Sequence, residues 1–74
     1  MKEYKITYTL VSGKEVTEIM AARNTDELCE KVYENMEEYE MYSIEKGEDS
    51  IEVINVESIE MFKVELNAHE KKYI

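Results

Sequence analysis

The chain has 74 residues, 18 acids against 9 bases for a net charge of −9, one cysteine, two glycines and no proline. That length predicts one domain over residues 1–74, and a single Cys29 excludes an internal disulfide. The acid excess argues against direct binding to nucleic acid or an anionic membrane, and no apolar run reaches the roughly 18–20 residues that span a bilayer.

Residues 1–10 mix charges with alternating apolar side chains and contain no apolar core of a signal peptide. A lone thiol suits a reducing compartment. The expectation is a soluble cytoplasmic protein, or one of the host-cell interior if phage-encoded.

Tyr4, Ile6, Tyr8 and Leu10 alternate with Lys5, Thr7 and Thr9, the period of a half-buried strand. Ser12 and Gly13 signal a tight turn, and residues 15–22 follow as a second strand. Two registers compete. A three-residue loop ending at Gly13 puts Val16 and Met20 on the Tyr4/Tyr8 face but drags Glu18 onto it. A two-residue loop puts Ile19 and Ala21 there instead.

Asn24 followed by Glu27 is a helix-capping pattern. Leu28, Val32, Met36 and Tyr39 then share a stripe widened by Cys29 and Tyr33, which predicts an amphipathic helix ending near Met41. Tyr4, Tyr8 and Tyr33 read as core. Residues 42–46 are short and β-prone, residues 47–49 form a turn, and 50–55 are a stronger strand. Residues 55–58 make a tight connection, and 61–66 a last strand with Phe62, Val64 and Leu66 on one face. Residues 67–74 form a charged tail that frays or docks through Tyr73 and Ile74.

The order β-β-α-β-β-β gives an α+β fold, two layers with one amphipathic helix packed on a mainly antiparallel sheet. One helix covers one sheet face. Val11, Ile19, Ile54 and Met61 lack obvious cover on the other, which raises the possibility of a homodimer.

No catalytic or phosphate-binding motif occurs, and both glycines serve turns. Cys29 and His69 are a conceivable thiolate–imidazole pair, but a cysteine on the buried stripe of a helix is more simply packing. Glu48, Asp49 and Glu52 gather near a turn without the spacing of a calcium loop. The reading is non-enzymatic, with no metal and no cofactor.

The charge is distributed unevenly. Residues 1–25 carry four bases and three acids, 26–60 two bases and thirteen acids, and 61–74 three bases and two acids, so the central segment at −11 holds the entire excess. Glu37, Glu38 and Glu40 lie where the helix ends and oppose its dipole, and Glu30, Glu34 and Glu38 are like-charge neighbours at helical spacing. Glutamates so spaced stand about 5–6 Å apart, comparable to phosphates along a nucleic-acid strand. Plain solubility accounts for such a face equally simply.

The functional expectation is an acidic protein-binding module. Glu30, Glu34, Glu37, Glu38, Glu40, Glu48 and Asp49 would dock on a basic, nucleic-acid-binding protein, with Tyr39 and Tyr42 as anchors. In size, acidity and lack of catalytic residues the chain is similar in general type to small phage or mobile-element inhibitors of host enzymes, anti-CRISPR and anti-restriction proteins among them. That likeness implies an inhibitor or nucleic-acid mimic. The alternatives are a homo-oligomeric accessory domain working through its sheet face or an edge strand, and a small-ligand sequestering protein.

Overall fold

The first hairpin adopts the three-residue loop. In the computed structural model, which describes residues 1–67, β1 (Lys2–Leu10) pairs antiparallel with β2 (Glu15–Ala22). Leu10 N–H donates to the Lys14 carbonyl at 2.8 Å, and Gly13 turns the chain at φ +93°, a value that side-chain-bearing residues avoid. Tyr8 therefore faces Val16, Tyr4 faces Met20, and Glu18 falls opposite Ile6 on the apolar side.

Helix α1 (Thr25–Glu38) starts as its capping pattern predicts. The Asn24 side chain accepts from Glu27 N–H at 2.8 Å, while the Glu27 carboxylate reaches back to Arg23 N–H at 2.7 Å. The helix stops three residues short of the expected Met41. Tyr39 is already extended, and Met41 opens β3 (Met41–Gly47) opposite Asn55 of β4 (Ser50–Asn55). Cross-strand pairing takes residues that helical periodicity would have continued.

A 3₁₀ turn (Val56–Ser58) leads into β5 (Ile59–Leu66), which pairs antiparallel with β1. The strands divide into a three-stranded ladder, β2-β1-β5, and a separate hairpin, β3-β4. Helix and hairpin both pack on the face that carries Tyr4, Ile6 and Tyr8. Leu28 and Val32 from the helix and Ile44 and Ile54 from the hairpin complete the buried core, giving the α+β arrangement of one helix against antiparallel sheets.

Two burial expectations are corrected. Ile54, expected to lack cover, is only 4% exposed because it stands opposite Tyr42 on the inner side of the hairpin. Tyr33, expected in the core, is 58% exposed, since it lies about 140° around the helix from Leu28. Its ring stands edge-on to that of Phe62, with 5.7 Å between centroids. Val11, Ile19 and Met61 do remain exposed. The expected tail, apart from Asn67, lies outside the described residues.

Candidate functional site

The two faces of α1 have opposite chemistry. Leu28 and Val32 are buried, whereas Glu30, Glu34, Glu37 and Glu38 are exposed. Asp26 and Glu27 suit the positive end of the helix dipole, but the last turn contains no base, so Glu37 and Glu38 meet the negative end unrelieved. Glu40 follows, exposed, with its carbonyl accepting from Val56 N–H at 2.9 Å. Tyr39 is exposed at the helix C-cap. The helix end thus gathers Glu34, Glu37, Glu38, Tyr39 and Glu40, with Glu30 one turn or two earlier.

Glu48 and Asp49 are not part of that gathering. They form the exposed tip of the β3-β4 hairpin, separated from Glu40 by the length of β3, roughly 20 Å for a strand of that size. Tyr42 is half-buried and turned inward. Its hydroxyl donates to Glu18, at 3.0 Å to one carboxylate oxygen and 3.1 Å to the other, and accepts from Asn35 Nδ2 at 3.4 Å.

Glu18 is the residue whose role the sequence does not announce. The hairpin register puts its carboxylate on the apolar side of β2, facing Tyr42 of β3, where Tyr8 Oη also donates to it at 2.6 Å. Two tyrosine hydroxyls thereby satisfy a carboxylate that makes no ion pair among the described residues. Burial first, then the neighbouring Glu18 carboxylate, holds both the Tyr8 and Tyr42 hydroxyls protonated well beyond the usual tyrosine range. The sequence signal was the presence of a glutamate on a tyrosine-lined strand face in one of two registers.

The same rings form a continuous aromatic path. Tyr39 lies against Tyr42 at 6.2 Å, Tyr42 against Tyr8 at 6.3 Å, Tyr8 against Phe62 at 6.3 Å, and Phe62 against Tyr33. The exposed Tyr39 is thus braced from beneath by the core.

Where the cations go decides the electrostatics. Among the described residues the ion pairs are Lys14 with Glu52 and Arg23 with Glu27, each at 3.0 Å. The Arg23 backbone N–H first, and its guanidinium next, hold the Glu27 carboxyl below the usual range. The only two bases between residues 26 and 60 are Lys31 and Lys46. Both are turned onto the outer edge of β2, Lys31 Nζ donating to the Ala21 carbonyl at 3.1 Å and Lys46 Nζ to the Thr17 carbonyl at 2.7 Å. Glu30, Glu34, Glu37, Glu38 and Glu40 are left with no ion-pair partner among the described residues.

An open cleft of about 520 Å³ separates the edges of β2 and β3, lined by Thr17, Glu18, Ile19, Ser43, Ile44, Glu45 and Lys46. Among the described residues no group of three or more His, Cys, Asp or Glu side chains is placed to hold a metal ion. Cys29 is half-buried, and His69 lies outside the described residues. No helix among the described residues is long and apolar enough to cross a membrane. Comparison with protein families, curated proteins and solved structures finds no match for this chain.

Proposed function

We propose that this protein is a non-enzymatic binding module that presents Glu30, Glu34, Glu37, Glu38 and Glu40 to a basic surface of a partner protein, of the kind nucleic-acid-binding proteins carry. The supporting observation is the placement of cations. The acidic segment contains two lysines, and both are spent on the backbone of β2 rather than on the carboxylates. A face that served only solubility would lose nothing by pairing some of its acids, and Lys in the last helical turn would stabilise the fold.

On this reading the acids steer the encounter and then replace phosphates on the partner's basic groove. Tyr39, exposed at the helix end and braced by Tyr42, supplies apolar contact beside the charges. Glu48 and Asp49 form a second contact point only for a partner whose basic surface extends the length of β3. Occupying a nucleic-acid channel would make the protein an inhibitor of its partner, acting in the interior of the cell that houses that partner.

The test is capture of a partner from cell lysate on the immobilised protein, followed by elution with a salt gradient and, separately, with duplex nucleic acid. The reading predicts a nucleic-acid-binding partner released by moderate salt and displaced by nucleic acid. A partner that survives high salt and ignores nucleic acid would contradict it.

A further inference from the structure

The two outer edges of the three-stranded ladder are treated differently. In an antiparallel strand, alternate residues turn their N–H and C=O toward opposite neighbours. On β2 the outward carbonyls include those of Thr17 and Ala21, and these are the two that Lys46 and Lys31 cap. Lysine on an edge is a common way to block further strand pairing. On β5, Asn67 N–H donates to the Glu3 carbonyl at 2.9 Å, which fixes the odd-numbered residues as those facing β1. Phe62, Val64 and Leu66 therefore turn their N–H and C=O outward. Among the described residues nothing pairs with that side.

The side chains along this edge are self-complementary. Pairing between two copies of β5 must match outward-turned residues, so only even-numbered positions can exchange hydrogen bonds. With the two-fold axis at Val64, Phe62 stands opposite the partner's Leu66 on the helix side of the sheet. On the other side Lys63 stands opposite the partner's Glu65, and Glu65 opposite the partner's Lys63. Sliding by two residues one way sets Lys63 against the partner's Lys63, and the other way Glu65 against the partner's Glu65. Opposite charges favour the first register and like charges penalise both neighbours. Leu66, 57% exposed, and the exposed Tyr33 beside Phe62 supply apolar surface to cover.

We infer that β5 is a homodimerisation edge, joining two copies of this chain antiparallel about Val64 into a six-stranded sheet. The two-fold axis stands perpendicular to that sheet, so both helices lie on the same side. The inference does not rest on the acidic-face reading, since Lys63 and Glu65 are exposed and lie outside that face.

Sedimentation of the full chain across micromolar to submillimolar concentration tests it, alongside Lys63→Glu, Glu65→Lys and the double exchange. The wild type is expected to show a monomer–dimer equilibrium. Each single reversal sets like charges opposite one another twice over and weakens the dimer about tenfold, while the double exchange restores it. The Phe62 and Val64 amides gain protection from hydrogen exchange as the dimer forms. A monomer at every concentration, or a dimer indifferent to the single reversals, would overturn the inference. A monomer whose Phe62 and Val64 amides are already protected would also overturn it, by giving the edge to residues 68–74 of the same chain.

Discussion

Glu18 and Glu37 are the same residue in opposite situations. Glu18 sits on the inward face of β2, and two tyrosine hydroxyls hold its carboxylate within 3.1 Å. Glu37 sits on the outside of the last helical turn, where the dipole is unfavourable and no base stands in that turn. The first carboxylate is where the fold's own requirements put an acid and then satisfied it. The second makes no side-chain hydrogen bond or ion pair among the described residues. A small domain has little stability to spare, so acids that weaken a helix end call for a reason outside the fold.

The sharpest break in that contrast is at Glu18. Glu18→Ala strands two partly buried hydroxyls and is expected to cost about 2–3 kcal/mol, read from chemical denaturation. Glu18→Gln keeps an acceptor for both tyrosines and should cost about half as much. If Glu18→Ala were neutral, the cluster would be an accident of packing.

Alkaline titration is the next largest effect. The folded state keeps Tyr8 and Tyr42 protonated beyond the ordinary tyrosine value of about 10. Above that pH the unfolded chain releases those protons more readily than the folded one. The contribution to stability is therefore intact below pH about 10 and falls as pH rises beyond it. Ultraviolet titration of tyrosinate should show Tyr8 and Tyr42 ionising only with unfolding, a delay that Glu18→Ala shortens.

The smallest effect has the opposite sign. Glu37→Lys and Glu38→Lys each relieve the helix end, and each should raise stability by about 0.5 kcal/mol, checked by the same denaturation. A loss of stability would mean that these acids support the fold after all.

Local chemistry was legible where a residue type has one good use. Asn24 with Glu27 marked the helix start, and Gly13 marked the loop that only a positive φ closes. The face of Glu18 was legible as one of two registers, and the structure takes the one that the two-residue alternative would have avoided. The remainder depended on partners distant in sequence. Ile51, Val53 and Ile54 put apolar side chains on both faces of β4, and pairing of Ile54 with Tyr42 decides which face is inside. Helical periodicity runs through Tyr39 toward Met41, yet pairing of Met41 with Asn55 ends the helix first. The acids of the candidate site were all visible in the sequence. The sequence could not show that Lys31 and Lys46 turn away from them, or that Glu48 and Asp49 stand a strand's length from the helix.

The most direct test combines both halves of the comparison in one variant, Glu34→Lys/Glu37→Lys/Glu38→Lys, measured for stability and for partner capture on the same preparation. The account predicts a fold at least as stable as wild type that no longer captures the partner. A variant that captures the partner as well as wild type does would return the helix acids to solubility and remove the proposed site.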